Sequence, residues 1–343
     1  MAVVILTPLT NSLPPVQTKV MGKTIRIGTR ESQLAVWQAT QVQQLLLQHD
    51  IAAELIYIKS EGDIDLKTPL YEMGVQGIFT KSLDNALLGN SIDIAVHSMK
   101  DVPTQLAKGI VPAAVLERAS YKDLLVYKET AFDIGEWSMI NEDPVEFELP
   151  PTTHHLRLTI ATSSIRRKAQ WLNRFPNHTI ENLRGNVNTR LKKLGDHAWH
   201  GAIFAAAGLE RIGLRPINSI ELDWMLPAPA QGAIMVVCRA RDTFAIEACS
   251  HFHHGNTALC TTMERDFLRA LLGGCSTPIS ALAEIKNEEV IFKGNILSVD
   301  GKEKVEMKKI IHVTKASDFG SIAAAYLLAN GGEKIAAGIR NAK

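Results

Sequence analysis

Apolar positions along the chain switch between a strand-like and a helix-like period. KTIRIGT (residues 23–29) predicts a short strand, and the following ESQLAVWQATQVQQLLLQH carries Ala35, Ala39, Val42 and Leu46 at helical spacing. AAELIYIKS predicts the next strand and TKSLDNALLG a helix. IDIAVHS (residues 92–98) is apolar almost throughout until His97, so it reads as a strand buried on both faces, of the kind found in parallel sheets. GIVPAAVLER returns as a further strand. This β-α-β-α-β alternation predicts an α/β sheet with helices on both faces. The Gly-rich GDIDLKTPLYEMGVQGIF (residues 62–79) has no clear period and reads as a mobile loop.

From about residue 128 to 155 the chain turns polar and acidic, with Glu142, Asp143, Glu146 and Glu148 among prolines, and reads as an exposed insertion or linker. LRLTIATSSIRRKAQWL (residues 156–172) then repeats the opening pattern of strand, hydroxyl-bearing turn and helix with arginines at its start. Aligning IRIGTRES with LTIATSSIRR gives a weak internal repeat, and two such helix starts facing one another would line a cleft between similar domains. HTIENLRGNVNTRLKKLG predicts a strand, a turn with Arg184 and a helix with Arg190 in its first turns. GAIFAAAGLERIGL predicts a small-residue strand and a short helix carrying Arg211. LPAPAQGAIMVVC (residues 226–238) suits a crossover back to the first domain. After two helices, DTFAIEACSHFHH and TALCTTMERDFLRALL, three alternating strands (SALAEIK, EVIFKGNIL, KVEMKKIIHV) and the helix SIAAAYLLAN predict a small α+β domain.

Length adds a domain count: 343 residues at ~150 per domain suggest two or three domains. The net charge of +1 argues against a general nucleic-acid or membrane surface, although a neutral total can hide a basic cleft. Cys238, Cys249, Cys260 and Cys275 show no CxxC spacing, so a disulfide framework is not expected and a reducing cytoplasm fits. No apolar run approaches the ~20 residues of a membrane span. The first 23 residues include MAVVILTPL but lack a basic start, and they read as a weakly ordered extension rather than an export signal.

Candidate chemistry begins at HSMKDVP (residues 97–103), where Lys100 and Asp101 stand side by side at the carboxyl end of a buried strand. Ligands of open α/β sheets settle at such ends; a solvated turn closed by Pro103 is the plain alternative. Arg30, Arg166, Arg167, Arg184, Arg190 and Arg211 all fall at strand ends or helix starts, where arginine suits bidentate binding of carboxylate or phosphate. Any one of them could be an ordinary surface arginine, but six at equivalent positions point to a polyanionic ligand. Thr29, Ser32, Thr162, Ser163 and Ser164 would add hydroxyl donors, and no P-loop or GxGxxG supports a nucleotide. Cys275, in a GGCSTP loop, is either an exposed nucleophile or an inert thiol, whereas the other three cysteines lie on apolar faces and read as core. His251, His253 and His254 match no metal spacing and read as a polar helix end.

GTRESQLA, AVHSMKDVPT, ATSSIRRKAQ, LRGNVNTRLKKL, AAAGLERIG, LPAPAQGA and GGCSTPI, in this order, resemble hydroxymethylbilane synthase, also called porphobilinogen deaminase, from about Ile25 to the C-terminus. The resemblance implies an α/β fold of two type II periplasmic-binding-protein-like domains facing a cleft, plus a small C-terminal α+β domain. After an extension at residues 1–23, it places the first domain at 24–117 and 233–253, the second at 122–228 and the third at 256–343. It implies a cytoplasmic, monomeric transferase that joins four porphobilinogens head to tail on a covalent dipyrromethane, releasing ammonia and then hydroxymethylbilane, with no nucleic acid, metal or membrane involved. Carried onto this chain, Cys275 would be the thioether attachment point and Asp101 the catalytic carboxylate, accepting pyrrole N–H bonds and helping to move protons. Arg30, Ser32, Ser98, Lys100, Thr162, Ser163, Ser164, Arg166, Arg167, Arg184, Arg190, Arg211 and Gln231 would contact cofactor and substrate, whose acetates and propionates account for the arginines.

The chain departs from the family pattern in the Gly-rich loop, where Glu72 and Gln76 replace two lysines, in the turn Ala119–Asp123, and in the long insertion. Two other readings stay open on sequence: a non-catalytic polyanion-binding protein of the same fold, and a degenerate relative that binds porphobilinogen without turnover.

Overall fold

The structure, a computed structural model, describes residues 23–59, 80–128, 157–271 and 277–341. The N-terminal extension, the Gly-rich loop with Glu72 and Gln76, the acidic insertion and Cys275 therefore lie outside the described residues.

The first sheet is built from β1 (Ile25–Thr29), β2 (Ala53–Tyr57), β3 (Ile94–Ser98), β4 (Ile110–Val115) and β10 (Ile234–Arg239), in the order β2-β1-β3-β10-β4. β1 runs parallel to β2 and β3, while β10 is antiparallel to both β3 and β4. The expectation of a purely parallel setting for residues 92–98 is corrected accordingly, because their apolar run reflects burial on both faces and not strand direction. One face is covered by Ala39, Val42 and Leu46 of α1 (Gln33–Leu47) together with α6 (Thr243–Ser250). Leu83 and Leu87 of α2 (Lys81–Leu88) cover the other.

The second sheet contains β5 (Asp123–Tyr127), β6 (Thr159–Ala161), β7 (Thr179–Glu181), β8 (Gly201–Ala205) and β9 (Ser219–Glu221), in the order β7-β6-β8-β5-β9. β6 is parallel to β7 and β8, and β5 is antiparallel to β8 and β9. Both sheets thus share one plan: three parallel strands, then an antiparallel strand that has crossed from the other domain, then an outer strand. β5 is the strand entering the second domain and β10 the one returning to the first, so the weak sequence repeat is a repeat of topology. β5 and β9 were not expected from the sequence. DLLVY opens on a charged residue beside the acidic stretch, and β9 spans only three residues.

α3 (Ile165–Arg174), α4 (Val187–Asp196) and the short α5 (Ala206–Glu210) flank this sheet, with Trp171 of α3 fully buried. The third domain follows α7 (Gly255–Leu271): β11 (Ile279–Lys286), β12 (Glu289–Leu297) and β13 (Lys304–His312) form an antiparallel sheet. α7, α8 (Phe319–Leu327) and α9 (Glu333–Asn341) pack on it through Phe267, Phe292, Ala323 and Leu327. The observed class is therefore two matched α/β domains and a small α+β domain.

Candidate active site

At the end of β3 the chain makes a single 3-10 turn, Met99–Asp101. Met99 is buried, its N–H donates to Ala233 O at 3.0 Å, and Val102 N–H closes the turn onto Met99 O at 3.2 Å. An apolar anchor between two hydrogen bonds leaves Lys100 half-buried and Asp101 exposed.

Lys100 Nζ donates to Gln231 Oε1 at 3.1 Å. The Nε2 of the same amide donates to Asp123 Oδ1 at 2.9 Å and to Tyr121 O at 2.8 Å. Asp123, wholly buried at the start of β5, receives Arg167 Nη2 at 2.7 Å and pairs with Arg166 Nη2 at 2.8 Å. Both arginines occupy the first turn of α3, which starts where it does because Ser164 Oγ accepts the N–H of Arg167 at 3.4 Å. Arg167 also donates to Ile203 O and Arg166 to Leu226 O.

α4 supplies Arg190, whose Nε donates to Gly185 O at 2.7 Å, and Arg184 lies buried just before it. Burial, and then the charge of Arg167, push the Lys100 ammonium down to about 8. Burial, and then the same neighbour, push Arg190 to about 10, with Asp101 opposing the shift. Burial alone would raise the Asp123 carboxyl, but Arg166 and Arg167 outweigh it and hold the group below the usual carboxylate range. Among the described residues, Lys100, Arg166, Arg167 and Arg190 thus interact with the carboxylates Asp101 and Asp123, and Arg184 with Arg190, a surplus of positive charge. Such a donor set fits a ligand bearing several carboxylates, which would relieve the repulsion.

The remaining expected residues stand around this cluster. Arg30 follows β1 and acts on His97, whose imidazole is buried, has no hydrogen-bond partner at Nε2 among the described residues and is pushed to about 4 by burial and then by Arg30. Ser32 caps α1, accepting Ala35 N–H at 3.4 Å. Thr162 Oγ1 accepts Ser164 N–H at 3.2 Å, and Ser163 donates to Leu183 O. Ser98 is engaged by Gln38 at 2.9 Å. Arg211 lies just past α5, donates to Gly232 O at 2.6 Å and sits 5.6 Å from the centroid of the Trp37 ring, so it bridges the two α/β domains. Thr29 turns inward and is fully buried, unlike a ligand donor. Cys238, Cys249 and Cys260 are buried, and burial pushes each thiol up, to about 11, 12 and 12.

Sequence reasoning missed Asp123, Arg118, Glu264 and Arg265. Glu264 of α7 is fully buried and receives Arg118 bidentately at 2.6 and 3.1 Å, Ala230 N–H at 2.6 Å and Ala283 N–H at 2.8 Å. One carboxylate thereby ties to the third domain both segments that cross between the α/β domains, the one before β5 at Arg118 and the one before β10 at Ala230, which form the hinge. A signal existed: Glu264 lies four residues after Cys260 and three before Phe267, on the apolar stripe of its helix.

Fold and site together define a two-domain α/β protein with a cation-rich cleft for a polyanion, in which a small third domain grips the hinge. The chain belongs to the porphobilinogen deaminase family. The family model "Porphobilinogen deaminase, dipyromethane cofactor binding domain" matches residues 25–247, and "Porphobilinogen deaminase, C-terminal domain" matches residues 258–329. A relative from Pelobacter propionicus described as porphobilinogen deaminase is 38% identical over 315 residues, covering 91% of this chain and 96% of its own. One from Desulforamulus reducens with the same description is 38% identical over 321 residues, covering 92% and 98%. Among solved structures, a methionine-binding protein, MetQ, aligns with a TM-score of 0.41 at 13% identity, covering 68% of this chain and 92% of that one.

Proposed function

We infer that this chain has the activity of its family: a transferase that polymerises four porphobilinogens onto a covalent dipyrromethane and releases hydroxymethylbilane for tetrapyrrole synthesis. The observation that carries the reading is the Lys100–Asp101 turn set against a buried surplus of arginines. The dipyrromethane, when bound, supplies the free pyrrole α-carbon at which the chain grows. Its attachment point is Cys275, a position read from sequence alone.

Asp101, exposed in the cleft, accepts pyrrole N–H bonds. In doing so it stabilises the cationic pyrrole left when ammonia departs, and it moves protons to the leaving amine. Lys100, Arg166, Arg167, Arg184 and Arg190 bind the acetate and propionate groups, with Arg30, Arg211, Gln231 and the hydroxyls of Ser32, Ser98, Thr162, Ser163 and Ser164 around them. Gln231 engages Lys100, and Asp123 pairs with Arg166 and Arg167, beside these groups. The reading divides the chain into residues 24–117 with 233–253, 122–228, and 256–343, and the separate sheets support that division. The chain acts as a cytoplasmic monomer. Among the described residues no helix is long and apolar enough to cross a membrane.

The test is the intact mass of the purified protein before and after porphobilinogen is added. A mass one dipyrromethane above the bare chain, rising in one-pyrrole steps, is expected. A bare-chain mass that substrate leaves unchanged in folded protein overturns the reading in favour of a binding protein. Asp101→Ala should fold, keep its adduct and lose turnover.

A further inference from the structure

α7 reaches from the third domain back to the Lys100–Asp101 turn. Arg265, 8% exposed, donates Nη1 to Val102 O at 2.9 Å and to Met99 O at 3.3 Å, and Nη2 to Pro103 O at 2.6 Å. These carbonyls bracket Lys100 and Asp101 on both sides. A guanidinium is planar and its donors hold a fixed fork, so one side chain sets the relative placement of both ends of the turn. Burial pushes this guanidinium down to about 10, and its three acceptors here are neutral carbonyls. Burying a cation whose hydrogen bonds go to neutral carbonyls is costly, and the charge of Asp266 offsets only part of that cost. The neighbouring Glu264 performs the corresponding service at the hinge. Adjacent residues of one helix therefore hold the hinge and the turn, and that helix ends at Leu271, four positions before Cys275 in sequence.

We propose that Arg265 is a positioning residue for the reaction: it fixes the backbone of residues 99–103 to the third domain, so that the Asp101 carboxylate keeps one placement while the chain grows. The inference rests on the reading of Asp101 given above. It goes beyond that reading by naming the group through which the third domain acts on the carboxylate.

Four full-length proteins test it: Arg265→Gln, Arg265→Lys, Asp101→Asn and the double variant Arg265→Gln/Asp101→Asn. Each is prepared with its adduct verified by intact mass and assayed by steady-state and single-turnover elongation. Arg265→Gln should lower kcat about tenfold or more while KM for porphobilinogen stays within about threefold. Arg265→Lys, which keeps the charge but not the fork of donors, should fall between it and the wild type. The double variant should be no slower than Asp101→Asn alone by more than about twofold, because a residue acting through Asp101 has nothing left to position. A kcat within about twofold of wild type in Arg265→Gln, or a double variant in which the two losses multiply, overturns the inference. Should Arg265→Gln fail to fold, Arg265→Lys decides: a kcat loss of about threefold with KM held supports the inference, and a wild-type kcat overturns it. Full activity in Asp101→Asn removes the reading of Asp101 and this inference with it. An inactive Asp101→Asn beside an unimpaired Arg265→Gln overturns the Arg265 inference alone.

Discussion

Lys100 and Asp123 are joined through the two ends of one amide: Gln231 accepts from the ammonium at 3.1 Å and donates to the carboxylate at 2.9 Å. The first residue belongs to the first domain's turn and the second to the first strand of the other domain, so a single hinge glutamine sets the cation of one wall against the anion of the other.

The depressed Lys100 gives the cleft a pH dependence. Because its ammonium titrates at about 8, substrate carboxylates lose a partner as pH rises through that value, and KM for porphobilinogen should climb above pH 8. Lys100→Met should show a raised KM below pH 8 and no climb above it. For stability the sign is opposite. Between about 8 and the ordinary 10.5 the unfolded chain holds a proton that the folded chain has released, so this group's contribution grows with pH and is lost as pH falls through 8. KM measured from pH 6 to 10 for both proteins checks the binding half, and urea midpoints over the same range check the other.

Asp123→Asn should cost about 3–5 kcal/mol, because it leaves two buried guanidiniums without their counter-charge. The wild-type carboxyl is held below the usual range, so its contribution is complete above about 3.8 and declines as pH falls through the lowered folded value. Denaturant titrations at neutral pH should show the loss in Asp123→Asn, and acid titration should show a shallower decline for the variant than for the wild type.

Glu264→Gln should loosen the third domain from the hinge. The substitution neutralises a fully buried partner of Arg118 and turns one of the two oxygens, Oε2 accepting from Ala230 N–H and Oε1 from Ala283 N–H, into a donor, a loss of about 3–5 kcal/mol. Limited proteolysis should cut the variant at the junction of the first and third domains, before α7, faster than the wild type; equal rates would contradict the clamp.

Gly232→Ala should be poorly tolerated. Gly232 has φ +89°, and a Cβ there would lie 2.6 Å from Ala119 O and 2.8 Å from Ser120 O, both backbone atoms of the other hinge strand. Conformational strain alone is about 1–3 kcal/mol, and the clash adds to it. A lowered thermal midpoint checks this, with Gly213→Ala as a control that shares the positive φ but has open space around it.

Much of the molecule was legible in the chain. Periodicity placed most strands and helices, because a buried stripe on a helix or strand needs a regular run of apolar residues, and the TSSIRR and TRES turns marked the helix starts that carry Arg30, Arg166 and Arg167. The acid–base pair at Lys100 and Asp101 was legible because it ends an otherwise apolar strand. What only tertiary structure decided was how those charges are held. Asp123 is a lone carboxylate at the head of an apolar run, and nothing local says that it faces Arg166 and Arg167 across a sheet. Glu264 and Arg265 look like an ordinary charged pair on a helix until that helix is laid between the hinge and the turn. Strand direction was equally hidden, since β3 is buried whether its neighbours run with it or against it. Local sequence determines which residues can be buried and where elements begin. Which buried group meets which is set by contacts distant in sequence, 44 residues for Asp123–Arg167 and more than a hundred for Lys100–Gln231 and Arg118–Glu264.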